Sequence, residues 1–392
     1  MMEAIPYGKQ NIIDADIQNV VEVLKSKFLT QGPKIDEFEN KFSEYVGCKY
    51  STAVANGTAG LHVAAMALGV KPGTKVITTP ITFCASANCI LYCGGEVDFV
   101  DIDFKTYTID LNKLEDLLKS KPAGYYQGVV PVDFAGLAVN LEELKKITDK
   151  YNLWILEDAC HSPAAYFIDS KGQKQFAGNG KFADVSVFSF HPVKHITSGE
   201  GGMITTNNPD IDKKAKQLRT HGITKIKNDF VCDDMKENGE YGGWYYEMQE
   251  LGYNYRLTDI QAVLGMSQLS HSLESLKKRK ELVKRYDEAF KPYADKIKTP
   301  YHDDGHAFHL YVIQVEKRKE LYDYLVSNNI YPQVHYAPVH LLPYYRNFGW
   351  KKGDFPIAES YYSKCLSIPM YPTLTNEQQN YVIEKIIKFI NK

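Results

Sequence analysis

The sequence predicts an α/β fold: a mostly parallel, seven-stranded sheet with helices on both faces, followed by a smaller C-terminal α+β domain. Three observations predict it. From about residue 50 to residue 206, short apolar runs alternate with helical segments, as strands and crossover helices do in a parallel sheet. Near residue 258 that alternation stops and two long helical stretches begin. The length of 392 residues suits about two or three domains. The change of pattern divides the chain into residues 1–265, with the N-terminal arm and first helices included, and residues 266–392.

Ile12, Ile13, Ile17, Val20, Val21 and Leu24 recur at helical spacing. After the break at Thr30-Gln-Gly-Pro33, Ile35, Phe38, Phe42 and Tyr45 resume the period. Strands are predicted at Tyr50–Ala55, Lys75–Thr79, Val97–Val100, Gly128–Val132, Trp154–Leu156, Val185–Ser189 and Met203–Thr206. Helices are predicted between them at 58–69, Ala85–Cys93, Leu111–Leu118 and Leu141–Tyr151, punctuated by Gly69, Pro72-Gly73, Pro80 and Gly94-Gly95. The polar stretch 168–183 reads as an inserted loop or hairpin, and 224–250 as a long surface excursion. In the C-terminal domain, helices are predicted at Thr258–His271, Leu273–Phe290, Lys319–Asn328 and from Asn376 onward. Strands are expected at Ala307–Val315 and near Gln333.

Composition excludes several classes. Hydrophobic residues at 44% and charged residues at 24% are ordinary for a globular protein, not for a disordered or collagen-like chain. The net charge of −2 gives no basic field for nucleic acid, and the charged run Lys277 to Lys284 reads as a solvated helix face. No stretch reaches the roughly 18 apolar residues that span a bilayer, and the nearest, Val129 to Val139, contains Asp133. The seven cysteines form no CxxC pair, and the N-terminus lacks the apolar run of a signal peptide. A reducing, cytoplasmic setting is expected. Only six of the 46 basic residues are arginine, so two-point carboxylate clamps are scarce.

Four segments could hold chemistry. Asp184 to Gly202 leads from an apolar strand ending in Ser189, through Lys194, to the glycine-rich turn Gly199-Glu-Gly-Gly202. A lysine placed there suits Schiff-base chemistry if desolvation keeps its amine neutral; the plain alternative is one more solvated lysine. Leu153 to His161 runs into Glu157-Asp158 at the expected carboxyl end of a parallel strand, where ligands bind in open α/β sheets. Asp158 could hold a pyridine nitrogen protonated or simply cap a helix. Ala55-Asn-Gly-Thr-Ala-Gly60 joins a strand to a helix whose N-terminal amides, with the Thr58 hydroxyl, could bind phosphate; an ordinary turn is the other reading. Phe83, in Pro80-Ile-Thr-Phe-Cys-Ala-Ser86, could stack on an aromatic cofactor or pack in the core. Gly178-Asn-Gly-Lys-Phe-Ala183 matches a dinucleotide fingerprint but leads into a strand, the wrong context. His191 and His195 have Pro192 between them and no zinc-protease glutamate, so no metal site is expected.

Taken together, these segments resemble the DegT/DnrJ/EryC1/StrS family of sugar aminotransferases, in fold type I of the pyridoxal-phosphate enzymes. The resemblance spans essentially the whole chain: Leu29-Thr-Gln-Gly-Pro33, Asn56-Gly-Thr58, Glu157-Asp-Ala159, Ser189-Phe-His-Pro-Val-Lys194, Gly199-Glu-Gly-Gly202, Arg219-Thr-His-Gly222, Gly252-Tyr-Asn-Tyr-Arg256 and Gln333-Val-His-Tyr336. It implies pyridoxal 5'-phosphate as cofactor. Lys194 would form the Schiff base and carry the proton, and Asp158 would pair with the pyridinium nitrogen. Ser189 and the Thr58 and Ala59 amides would hold the phosphate, Phe83 would stack on the ring, and His161 would lie near the phenolic oxygen. Asn254 would reach the phosphate from a partner subunit, which implies a homodimer with shared active sites. Tyr7, Lys27, Phe28, Leu29, Thr30, Gln333, His335 and Tyr336 would line a nucleotide-sugar groove. Arg219, Arg256 and Lys27 are candidates for the diphosphate or the donor carboxylate.

The nearest echoes within the family are Ser26-Lys-Phe-Leu-Thr-Gln-Gly32, Phe188-Ser-Phe-His191 and Gln333-Val-His-Tyr336. They imply amino transfer from L-glutamate to C4 of a UDP-linked 4-keto-6-deoxy-N-acetylhexosamine, as in pseudaminic acid biosynthesis. The resemblance also departs in places. Asp133-Phe-Ala-Gly136 stands where many relatives have His-x-x-Gly, and 168–183 and 224–250 are long. A GDP- or dTDP-linked keto sugar is the alternative substrate. Two other classes are a dehydratase with histidine in place of the lysine, which Lys194 argues against, and a non-catalytic sensor of cofactor or sugar.

Overall fold

A computed structural model describes residues 3–392. Its main sheet has seven strands, numbered in chain order: β1 (Tyr50–Val54), β2 (Lys75–Thr78), β3 (Glu96–Phe99), β4 (Gly128–Val130), β5 (Trp154–Asp158), β6 (Val185–Ser189) and β7 (Gly202–Thr206). The spatial order is β1-β7-β6-β5-β4-β2-β3. Every neighbouring pair is parallel except the two that β7 makes, with β1 and with β6.

Successive side chains on a strand face opposite ways, and the two faces bury different helices. Val54, Val187 and Ile204 pack with Leu61, Ala64 and Ala65 of the helix Gly57–Ala67 and with Leu218. Their neighbours Ala53, Phe188 and Met203 face Phe38 and Phe42 of the helix Pro33–Val46 and Ala262 and Met266 of the helix Asp259–Ser270. These three strands, β1, β6 and β7, thus bury apolar side chains on both sides.

Three parts of the chain differ from the sequence reading. The helix Pro209–Leu218 was not predicted. Its buried side is thin, with Ala215 and Leu218 fully buried among lysines and aspartates, but Asn208 as cap and Pro209 in the first turn were readable start signals. The strand expected at Ala307–Val315 is only Tyr311–Gln314, and it pairs with an unpredicted strand, Cys365–Ile368, behind an equally unpredicted helix, Pro356–Lys364. The strand expected near Gln333 lies at Ile330–Tyr331, parallel to Ile5–Pro6, and Ile5 joins the core around Tyr286, Phe290, Tyr311 and Ile386. The stretch 168–183, read as a loop or hairpin, is a hairpin whose first strand begins just ahead of it, pairing Tyr166–Ile168 with Lys174–Phe176. The 224–250 excursion is pinned at its base by Ile223–Thr224 against Glu247–Met248 and leaves Trp244 77% exposed.

One carboxylate fixes the loop ahead of the helix Pro33–Val46. The cap position is Gly32, which has no side chain to offer. Asp259 supplies the missing acceptor: Oδ2 receives the Gly32 N–H at 2.8 Å and Oδ1 the Lys34 N–H at 3.0 Å. The Asp259 N–H in turn donates to the Leu29 carbonyl at 3.0 Å. Asp259→Ala is therefore expected to lower the stability to urea by about 1–2 kcal/mol, the usual worth of a cap. A loss under about 0.5 kcal/mol, the size of a neutral surface change, would contradict this account.

Candidate active site

The parallel register of β5 and β6 sets Leu156 opposite Val185, Glu157 opposite Ser186 and Asp158 opposite Val187. Both strands therefore end at the same edge of the sheet, and the segment after β6 turns back beside Asp158. The helix Gly57–Ala67 opens at that edge as well, in contact with β6 and β7. Between these ends lies a cavity of about 780 Å³, within the usual range for small-molecule sites. The segments that line it come from both halves of the chain.

Asp158 is 6% exposed and its carboxylate is oriented from two sides. Ser86 donates its hydroxyl to Oδ2 at 2.6 Å, and the Cys160 N–H donates to Oδ1 at 3.2 Å. Lys194 lies across the same cavity, half-buried. Burial pushes its amine below the usual lysine value, and the nearby Cys160 and Asp158 partly offset that. His161 accepts the Ala135 N–H on Nδ1 at 3.2 Å, and its Nε2 lies 3.0 Å from the Tyr336 hydroxyl. A ring nitrogen that accepts leaves its proton on the other nitrogen, so Nε2–H donates to Tyr336 and the phenol keeps its own proton free to donate. Burial holds the His161 imidazole well below the usual histidine value, so it is neutral.

The helix Gly57–Ala67 begins with Asn56, whose Oδ1 accepts the Ala59 N–H at 2.8 Å. That leaves the first-turn amides of Gly57 and Thr58 directed at the cavity with the positive end of the helix dipole. The strands approach this turn closely. A Cβ added at Gly57 would come within 3.0 Å of Ser189 Cβ, and one at Gly202 within 2.7 Å of the Asn56 backbone. Glycine at both places makes an anion-sized cradle of backbone amides and the Ser189 hydroxyl. A carboxylate, a desolvated amine, an aromatic face at Phe83 and this cradle, all on one cavity, fit pyridoxal phosphate group by group.

Of the residues singled out from the sequence, Tyr7, Thr58, Ala59, Phe83, Asp158, His161, Ser189, Lys194, Gln333, His335 and Tyr336 line the cavity. Lys27, Phe28, Leu29, Thr30, Arg256 and Asn254 do not; Lys27 to Thr30 and Asn254 are exposed on the surface of the single chain. Arg219 is not available for a substrate anion, because its guanidinium is paired with Glu39 and donates to the Ala53 carbonyl at 2.7 Å. Asp133 does not reach the cavity either. It is fully buried, takes the Ser162 hydroxyl at 2.6 Å and the Val139 N–H at 2.9 Å, and is pushed up by burial and by Glu157. Among the described lining residues the charged groups are Asp158, Glu200 and Lys194, with no arginine.

Sequence reasoning missed Cys160, Tyr255 and His309 on the cavity wall, and Ser86 behind Asp158. Ser86 had a signal, a hydroxyl residue at a strand-to-helix junction within a segment already singled out. His309 had none, since it arrives from 115 residues beyond Lys194.

The DegT/DnrJ/EryC1/StrS aminotransferase family model matches residues 10–387. The spore coat polysaccharide biosynthesis protein SpsC of Bacillus subtilis is 37% identical, covering 97% of this chain and 96% of its own. The UDP-4-amino-4,6-dideoxy-N-acetyl-beta-L-altrosamine transaminase of Campylobacter jejuni is 36% identical over 99% and 98%. GDP-perosamine synthase of Escherichia coli O157:H7 is 29% identical over 99% of each chain. Among solved structures, Helicobacter pylori PseC, an aminotransferase involved in the biosynthesis of pseudoaminic acid, superposes with a TM-score of 0.88 at 29% identity, covering 99% and 100%. A sugar aminotransferase of Streptococcus pneumoniae, Spr1654, solved in its PLP form, superposes with a TM-score of 0.86 at 28% identity over 99% of each chain. With such coverage from end to end, the chain belongs to the DegT/DnrJ/EryC1/StrS aminotransferase family.

Proposed function

We propose that the protein is a pyridoxal-phosphate-dependent aminotransferase that moves an amino group from L-glutamate to C4 of a UDP-linked 4-keto-6-deoxy-N-acetylhexosamine. The observation that supports this most is the pairing of Asp158 and Lys194 across one cavity, beside a helix N-terminus. When bound, pyridoxal phosphate supplies the aldehyde that takes up and hands on the amino group, and the ring that delocalises an electron pair.

The protein's residues do the rest. The Gly57 and Thr58 amides with the Ser189 hydroxyl hold the phosphate at the helix end, while the Ala59 amide, expected to join them, is taken by Asn56. Asp158, aimed by Ser86, holds a proton on the ring nitrogen. Phe83 covers one face of the ring. Lys194 takes a proton from the substrate carbon and returns it on the same face, which a neutral amine can do; such transfer is worth about 10²–10⁴-fold. Tyr336, oriented by His161, turns a hydroxyl donor toward the sugar.

The reading includes a homodimer. A diphosphate and a dicarboxylate donor need cations, and Lys194 is the lone cation among the described lining residues. Lys27, Arg256 and Asn254, with Phe28, Leu29 and Thr30, lie outside this chain's own cavity, where a second copy could use them. All seven cysteines are free, which accords with a cytoplasmic setting. No helix among the described residues is long and apolar enough to cross a membrane. The division at residue 265 belongs to the same proposal. The UDP-sugar is preferred because its motifs lie at Ser26–Gly32 and Gln333–Tyr336; the relative named for GDP-perosamine keeps a GDP sugar as the second reading.

Borohydride treatment of the purified holoprotein is expected to fix a pyridoxyl group on Lys194, read by peptide mass spectrometry; label on another lysine contradicts the assignment. Asp158→Ala is expected to weaken cofactor retention and slow turnover by about 10²–10³-fold, the scale seen when one preorganised electrostatic group is removed. Near wild-type turnover would exclude its role. A panel of UDP-, GDP- and dTDP-linked keto sugars with L-glutamate, following 2-oxoglutarate, is expected to show the UDP-linked sugar turned over fastest. Preference for a GDP sugar would replace the substrate, and no turnover of any would favour a sensor.

A further inference from the structure

The side chain that touches the Lys194 amine comes from the other half of the chain. Lys194 Nζ lies 3.4 Å from Nε2 of His309. His309 is 3% exposed and lines the same cavity. Its other ring nitrogen, Nδ1, is buried with no hydrogen-bond partner among the described residues. Those two facts choose the tautomer. A neutral imidazole carries one proton. With that proton on Nδ1, a buried N–H would be stranded. With it on Nε2, only a bare lone pair is left unpaired, which costs less than an orphaned donor. The Nε2–H then points at Lys194, and it can bond there only to an uncharged amine.

The surrounding backbone is tied so that His309 has little freedom to turn away. The Ala307 N–H donates to the Gly136 carbonyl at 2.8 Å, and the Leu310 N–H to the Ala135 carbonyl at 3.2 Å. Arg279, 1% exposed, donates to the carbonyls of Phe308 and His309, both at 3.2 Å. Phe308 itself is in the left-handed region at φ +53°, its N–H held by His306 Nδ1 at 2.8 Å. A bulky residue persists there only where its surroundings over-determine it, as at functional sites. Gly136 permits the approach: a Cβ on it would lie 2.9 Å from the nitrogens of Phe308 and His309.

The charged and titratable groups facing the pair are few. His309 meets Lys194, His161 with ring centres 4.4 Å apart, His195 at 5.7 Å, and Arg279. Lys194 also faces Cys160 and Asp158, with His191 and His335 near enough to sense its charge. Burial keeps His161, His195 and His309 neutral. Among these groups His309 is the one in contact with Nζ.

We propose that His309 is a positioning residue that donates its Nε2–H to the Lys194 amine and so holds that amine uncharged, with its lone pair fixed in direction. When Lys194 takes a proton from the substrate carbon, the ammonium faces an N–H instead of an acceptor and gives the proton up readily. The inference rests on Lys194 being the reacting amine.

The test uses the full chain freed of cofactor. Acetylation of Lys194 by an N-hydroxysuccinimide ester is followed by peptide mass spectrometry from about pH 6 to pH 11, the span in which a lysine amine loses its proton. Removing a donor to the neutral amine favours the ammonium, so in His309→Leu the midpoint is expected to rise by about one pH unit, a tenfold loss of free amine below it. No shift, or a fall, overturns the proposal; a fall is what an acceptor role for His309 predicts. Histidine-selective ¹⁵N spectra of the wild-type chain need no variant: an Nε2–H tautomer at His309 is expected, and an Nδ1–H tautomer overturns the proposal. Neither measurement depends on where borohydride places its label, so the two readings can fail separately.

Discussion

The pairing of β5 with β6 is the constraint on which the site depends. Two parallel strands in register finish at one edge, and there the chain must turn twice within a short distance. Asp158 occupies the first turn. Ser189, Lys194 and the turn to Gly202 occupy the second, and β7 brings the chain back antiparallel along β6. The helix Gly57–Ala67 then packs across β6 and β7, which requires glycine at 57 and 202 where the backbones meet. An acid, an amine and an anion cradle are thus brought together by strand order, with no loop longer than a few residues between strand end and functional atom.

Charge at this edge is set by desolvation as much as by pairing. The cavity wall holds His161, His309 and His335 as neutral rings, since burial moves each far below the usual histidine value, to about 3 for His335. Neutral imidazoles give directional hydrogen bonds without adding positive charge beside Lys194. The same economy appears beneath the site, where burial above all pushes both Asp133 and Glu157 up, with Glu157 adding to the rise at Asp133 and Asp158 to that at Glu157, so that the pair does not load the interior with two negative charges.

Much of the large sheet was legible because its signal is local. Val185–Ser189 carries Val185, Val187 and Phe188 in a short run after Asp184, and the Leu141–Tyr151 helix starts at an asparagine cap, with Leu141 and Leu144 buried. The placing of Lys194, Asp158 and Thr58 on the cavity was legible for the same reason: Asp158 ends a strand, and the other two follow one within five residues. The C-terminal part was less so. Cys365–Ile368 is four residues long and acquires its meaning only when it meets Tyr311–Gln314, more than fifty positions earlier. Pro209–Leu218 buries a narrow stripe, so its charged face hid its period. His309 reaches the amine through a contact spanning 115 positions, and no spacing rule reports such a meeting. Arg219 misled in the opposite sense: its motif placed it among the site candidates, whereas Glu39 and Ala53 use its guanidinium to join two elements of the fold.

The most direct test of the account is the crystal structure of the full chain grown with pyridoxal phosphate. The account predicts electron density continuous from Lys194 Nζ to the cofactor, with the ring beneath Phe83. The ring nitrogen should lie within about 2.6–3.2 Å of the Asp158 carboxylate, and the phosphate should sit at Gly57, Thr58 and Ser189. A cofactor joined to another lysine, or a ring nitrogen turned away from Asp158, would contradict it.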